Sequence, residues 1–189
     1  MLLSFSEHIV ELHRWETKNE MLNHITKCDS STIVLGEDAE QELEFYSAIV
    51  HLNYTVRVDE QSQESSPDYL GIAICSEGHG LKPHLVLLPR QTLAVGFNRE
   101  VVGISVSNKQ ILFRLRFDTL FRSFLYLDEM DTLLVFNEIG VVALAASGVE
   151  LWRYEKDIIT DCLINEGKLY MNFMDSPQVM LRLSSGAIE

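Results

Sequence analysis

Histidines, cysteines and a dense run of carboxylates are the side chains in this chain that could do chemistry. His8 and His13 flank Glu7 and Glu11 near the N-terminus. Imidazoles and carboxylates together can bind metals or carry protons. In an extended segment successive side chains alternate, so residues five apart point to opposite faces. A metal site here would need further ligands from elsewhere, and the usual ligand spacing is missing. Both histidines therefore read as surface or half-buried residues. His79 and His84 flank a glycine turn and Pro83, and the same reasoning applies.

The three cysteines, Cys28, Cys75 and Cys162, show no Cys-x-x-Cys spacing. Each sits in an apolar pattern and reads as a small core residue rather than a nucleophile. Their odd number and wide separation argue against a secreted disulfide framework and for a reducing compartment. Ser30-Ser31 and Ser65-Ser66 lack the strand-turn-helix context of a nucleophile elbow. Gly36 is one glycine, not a phosphate-binding fingerprint. No catalytic residue, metal or cofactor is expected. Trp15 and Trp152 read as packing residues.

The densest charge cluster is Glu37, Asp38, Glu40, Glu42 and Glu44. It could dock a basic partner. On a helix such a run is more ordinarily a solvated face, with Glu37 and Asp38 favourably placed at the helix start. The whole chain is acidic, with a formal net charge of −13. Residues 1–66 hold 13 acids and 4 bases (−9), and residues 67–189 hold 15 acids and 11 bases (−4). Phosphate backbones and anionic membrane surfaces would repel this charge, so neither nucleic acid nor membrane is an expected partner. No run of 18 apolar residues predicts a transmembrane helix. The opening MLLSFSEHIVELHRW has no basic n-region, and Glu7, His8 and Glu11 interrupt any apolar h-region, so it does not read as a signal peptide. A cytoplasmic protein is expected.

The elements that must position these groups change character near residue 66. Residues 1–66 contain one Gly and no Pro, and the rest holds nine Gly and four Pro. Residues 5–13 read as a strand or extended segment. Thr17-Lys18-Asn19-Glu20 has the capping-box form, and Met21, Leu22, Ile25 and Cys28 follow on one helical face to about Asp29. Thr32–Leu35 reads as a buried strand closed by Gly36. Leu43, Tyr46, Ile49 and Val50 recur at helical spacing, predicting a second helix to about Leu52 with Asn53 past its end. Residues 54–58 alternate as a strand. The polar stretch 59–67 reads as a linker. Leu70–Cys75 is again a strand, Gly78-His79-Gly80 a turn, and His84–Leu88 the start of a run of strands.

That run repeats. TLAVGFNREVVGISVSNKQILFRL starts at Thr92, and TLLVFNEIGVVALAASGVELWRY starts 40 residues later at Thr132. Leu93 and Val95 match Leu133 and Val135, Ser107-Asn108 matches Ser147-Gly148, and Phe113-Arg114 matches Trp152-Arg153 after a one-residue slip. A truncated third copy starts at Leu169 and places Ser185-Gly186 in the turn position. Alternating strands joined by Asn or Gly turns predict an antiparallel meander. Two full units, Thr92–Leu127 and Thr132–Ile164, and a half unit ending at Gly186 are expected.

The segment VVALAASGVELWRY resembles a blade of the quinoprotein-type (PQQ-like) β-propellers, with Ala143, Leu144, Gly148, Trp152 and Arg153 at the matching positions. The resemblance implies a local blade structure. About two and a half units fall short of the ~4–8 blades that close such rings, so no closed propeller is expected in 189 residues. No quinone- or metal-binding residue of those enzymes has a counterpart here.

The expected fold is α+β, mostly β. A small N-terminal α/β layer over 1–66 precedes an antiparallel meander over 67–189, as one continuous domain or two. The expected function is a non-enzymatic, cytoplasmic protein-interaction module, of which an acidic immunity-type inhibitor of a basic partner is one example. The alternative is a small-ligand-binding or enzymatic domain with a pocket between the two layers, lined by His79, His84 and the 59–67 loop. Self-association through open sheet edges is a third reading.

Overall fold

The computed structural model describes residues 2–5, 8–26, 31–37, 43–52 and 68–189. The fold is α+β and mostly β. The chain divides into two compact units: Met1–Pro83 with Ser105–Gln110, and His84–Ile104 with Ile111–Glu189.

The N-terminal unit is a five-stranded sheet with one helix. Its strands are β1 (Leu2–Phe5), β2 (His8–Trp15), β3 (Ser31–Leu35), β4 (Glu44–Leu52) and β5 (Asp68–Ser76), in the spatial order β1-β2-β4-β5-β3. β3 runs parallel to β5, and the other described pairs are antiparallel. Helix α1 (Lys18–Thr26) starts at the capping box. Glu20 N–H donates to Thr17 Oγ1 at 3.2 Å, and Thr17 N–H donates back to Glu20 Oε2 at 3.1 Å. Met21 and Ile25 are fully buried and pack with Ala73, Cys75, Trp15, Phe45 and Val34.

The second expected helix is a strand. Residues 44–52 form β4, between β2 and β5, and Tyr46–Val50 are buried. A central strand covered on both faces loses its alternation, and its apolar residues then also satisfy helical spacing. Length and the aromatic and β-branched content of Phe45, Tyr46, Ile49 and Val50 favour the strand. Asn53, the expected strand over 54–58 and the linker over 59–67 lie outside the described residues. β5 belongs to this N-terminal sheet.

The C-terminal unit is three small antiparallel sheets. The first holds β6 (His84–Leu88), β7 (Thr92–Phe97), β8 (Glu100–Ser105) and β9 (Gln110–Arg116). The second holds β10 (Phe121–Leu127), β11 (Thr132–Asn137), β12 (Gly140–Ala145) and β13 (Glu150–Glu155). The third holds β14 (Ile159–Asn165), β15 (Lys168–Phe173) and β16 (Val179–Arg182), with Ile188 bridging to Leu181 beyond β16. The repeat therefore has a different phase from the expected one. Phe121–Leu127 and the strand after Ile158 each open the following sheet. Sequence similarity marks a period but not where each period begins.

The two inner strands of the middle sheet, β11 and β12, are buried on both faces. Leu133, Val135, Val142 and Leu144 pack with Leu88, Ala94 and Val101 of the first sheet. Leu134, Phe136, Val141 and Ala143 pack with Leu169, Met171, Phe173 and Leu181 of the third. Face-to-face stacking of such small antiparallel sheets is propeller-like. The same backbone ties recur at each step. Phe117 and Phe121 N–H donate to Arg99 and Asn98 O, both at 2.7 Å, and Lys156 and Ile159 N–H donate to Ile139 and Glu138 O, both at 2.9 Å.

An aromatic lock also recurs. Phe113 of β9 lies over Gly148 in the turn of the next sheet, and Trp152 of β13 lies over Gly186 in the turn of the one after. Both glycines have left-handed φ, +86° and +67°, which suits a residue without Cβ. The indole N–H of Trp152 also donates to Leu183 O at 2.9 Å. The far face of the third sheet differs from the stacked faces. By alternation it carries Asp161, Leu163 and Asn165, then Lys168, Tyr170 and Asn172, then Met180 and Arg182. Glu189 bridges Lys168 (2.7 Å) and Arg182 (2.5 Å) there.

Candidate functional site

The carboxylate run does not form one helix face. Glu37 is an exposed turn residue after β3, just past Gly36. Glu44 opens β4, where it accepts from Arg14 Nη2 at 2.7 Å and from the Tyr46 hydroxyl at 3.1 Å. Burial and the neighbouring Glu44 both push the Tyr46 hydroxyl above its ordinary pKa. Asp38, Glu40 and Glu42 lie outside the described residues. Of the five expected docking residues, Glu44 is thus already engaged within the sheet.

The densest polar cluster lies on the sheet face that α1 covers. Glu11, His13 and Trp15 share a face of β2, and β4 places Ser47 and His51 on the same side. Glu11 sits between two imidazoles, with Oε1 2.8 Å from His51 Nε2 and Oε2 3.3 Å from His13 Nε2. Burial works to raise the Glu11 pKa, and the hydrogen bonds and charges of His13 and His51 more than reverse it, holding the carboxyl below its ordinary value. His24 comes down from the last turn of α1. Its ring lies 4.6 Å from the Trp15 ring and 5.2 Å from the His13 ring, centroid to centroid. Ser47 is fully buried; its Oγ accepts the Trp15 indole N–H at 2.9 Å and lies 3.4 Å from His24 Nδ1. His51 packs edge-on against Tyr69 of β5 at 4.9 Å.

This arrangement gathers three imidazoles near one carboxylate, two of them in contact with it. It presents no accessible nucleophile, because Ser47 is sealed in. Among the described residues no group of three or more His, Cys, Asp or Glu is arranged to hold a metal ion. Cys75 is buried in the apolar floor beneath α1. Cys162 is exposed on β14, and partial desolvation with the adjacent Asp161 raises its pKa, away from the thiolate form.

The other histidines stand apart. His79 contacts Glu77 at 2.8 Å near the turn after β5. His84 begins β6 and meets Phe121 edge-on at 5.7 Å, and burial lowers its pKa. The His8 side chain lies outside the described residues. His13 was singled out by type, but its partners His24 and His51 were not. The legible signal was the i, i+2, i+4 spacing of Glu11, His13 and Trp15. The rest of the cluster needed β4 to be recognised as a strand.

No family model matches the chain, and no curated protein does. Solved structures resemble it in fold. The computationally designed Ika8 protein aligns at TM-score 0.50 and 12% identity, over 99% of this chain and 59% of its own. Sqt1 from Saccharomyces cerevisiae aligns at 0.47 and 11% identity, over 80% of this chain and 46% of its own. BamB from Moraxella catarrhalis aligns at 0.44 and 14% identity, over 84% and 50%. Of these three, the Ika8 likeness reaches a TM-score of 0.50 and speaks to fold alone. The chain spans about half the length of each of these three. Among the described residues no helix is long and apolar enough to cross a membrane.

Proposed function

We propose that the protein is a non-enzymatic, cytoplasmic interaction module whose N-terminal unit docks a basic protein, in the manner of an acidic immunity-type inhibitor. The supporting observation is the partition of charge between the two units. Residues 1–83 with 105–110 hold 15 acids and 6 bases, a net of −9. Residues 84–104 with 111–189 hold 13 acids and 9 bases, a net of −4. In the C-terminal unit the charges meet locally: Glu100 with Arg114, Glu150 and Glu155 with Arg153, and Glu189 with Lys168 and Arg182. The N-terminal unit has too few bases to do the same, so it keeps an unbalanced negative field. Such a field steers a cationic partner and sets its register.

Affinity capture from the native host tests this reading. The expected result is one stoichiometric protein of high isoelectric point, released by added salt. Neutralising Glu37, Asp38, Glu40 and Glu42 to their amides weakens its capture. A chain that brings down no protein partner but copurifies with a small molecule would sink the proposal.

A further inference from the structure

The far face of the third sheet is ordered in rows. Cross-strand partners point to one side of a sheet, so each row runs across β14, β15 and β16. The central row is apolar: Leu163 lies opposite Tyr170, and Tyr170 opposite Met180. Leu163 is 62% exposed, and Tyr170 and Met180 are half-buried. One flanking row holds Asp161 and Asn172, and Gln178 Nε2 donates to Asn172 Oδ1 at 2.9 Å. The other holds Asn165, Lys168 and Arg182, with Glu189 bridging the two cations. The first margin carries one carboxylate, a net of −1. The second carries two cations and one carboxylate, a net of +1.

We propose that this face pairs two copies of the chain about a two-fold axis running along the apolar row. Such an axis reverses the strand direction and leaves the row in place. Tyr170 then meets Tyr170 of the second copy. The Asp161 margin of each copy lies over the Lys168 margin of the other. An in-plane axis along the strands would instead set like margin on like. Charge selects a second copy as the occupant. The chain carries −13, and the −9 of its N-terminal unit repels a second copy. At this face the margins cancel, and the two-fold matches each to its opposite. A basic partner, as proposed for the N-terminal unit, gains nothing from a face with no net charge. Stacking of sheet faces is also the contact that the second and third sheets already make. β7, β8, β11 and β12 are buried on both faces, so among the described sheets of this unit the third has the open one. A head-to-tail stack needs two different open faces, and a two-fold needs one. Strands at ~4.8 Å spacing and ~3.4 Å per residue make the patch roughly 15 Å across, a footprint of about 250 Å². A standard interface covers ~800 Å² per partner, so this dimer is weak and concentration-dependent.

Analytical sedimentation of the full chain tests the pairing from about 10 μM to about 1 mM, the range of a weak interface. The weight-average mass is expected to climb from one copy toward two and to level there. Tyr170→Ala keeps the thermal unfolding of the wild type and moves the association midpoint about tenfold or more up in concentration. Asp161→Lys alone and Lys168→Glu alone set like margins against each other and stay monomeric. Mixed one to one, they recover the mass of two copies, because the two-fold then pairs opposite margins on both sides. Should Lys168→Glu fail to fold beside Glu189, Tyr170→Ala and Asp161→Lys still decide. A wild-type chain that stays monomeric throughout, as when another protein covers the face, overturns the proposal. So does mass growing past two copies, which open strand edges would give, or a dimer indifferent to Tyr170→Ala. A folded mixture of the two charge variants that stays monomeric overturns the two-fold.

Discussion

The two units handle polar side chains in opposite ways. In the C-terminal unit the stacked faces of the middle sheet are apolar, and charged groups sit at strand ends, on outer strands and on the far face of the third sheet. In the N-terminal unit a carboxylate, two imidazoles and a sealed hydroxyl lie on the same face that packs the helix, and a third imidazole reaches it from the helix. A repeated scaffold gains from sameness, since each sheet must fit the next. A face that mixes apolar floor and titratable rim gains nothing from sameness and can respond to its surroundings. The contrast teaches where to look for response (the unrepeated unit) and where to look for stability (the repeated one).

The sharpest way to break this contrast is at the aromatic lock. Gly148→Val would drive a side chain into the Phe113 ring and force a β-branched residue to φ +86°. A loss of about 3 kcal/mol or more in urea unfolding is expected. Trp152→Ala removes the matching aromatic and its hydrogen bond to Leu183, and should cost about 3 kcal/mol in the same assay. If either change left stability untouched, the repeated lock would be incidental. In the N-terminal unit the effects are smaller and local. Thr17→Ala removes the cap and should cost about 1 kcal/mol, seen as lost exchange protection in α1 with β11 and β12 unaffected. A loss spread evenly over both units would erase the distinction drawn between them.

The smallest effect is a pH dependence. Glu11 has a lowered pKa in the folded state, so its contribution is present above the ordinary carboxyl value and is lost as pH falls through the folded one. Comparing wild type with Glu11→Gln, the gap in unfolding free energy above the ordinary carboxyl value should be about 0.5 kcal/mol after solvent screening, and it should close as pH falls through the folded value. A gap that persists once the carboxyl is protonated would contradict the assigned role.

Legibility in the sequence followed repetition and local chemistry. The capping box at Thr17 and Glu20 was readable because its geometry is set within four residues. The sheets of the C-terminal unit were readable because Leu133 and Val135 echo Leu93 and Val95, and because glycine marks the turns at Gly148 and Gly186. Their phase was not, since nothing in Phe121 tells which neighbour it will pair with. β4 was misread because burial on both faces removes the alternation that marks a strand. That single error hid His51 from Glu11 and left His13 looking isolated. The carboxylate run suffered the same way: without β4, Glu44 looked like part of a helix instead of a strand's first ion pair.

The aromatic lock runs one way. Phe113 reaches forward to Gly148, and Trp152 forward to Gly186; the middle sheet both gives an aromatic ahead and offers a glycine behind. The stack therefore has a grammar with a direction. A duplicated sheet inserted in frame between the second and third would find its seat and its key already cut, whereas the same strands spliced in reverse order would find neither. Growth by copying is thus built into the scaffold.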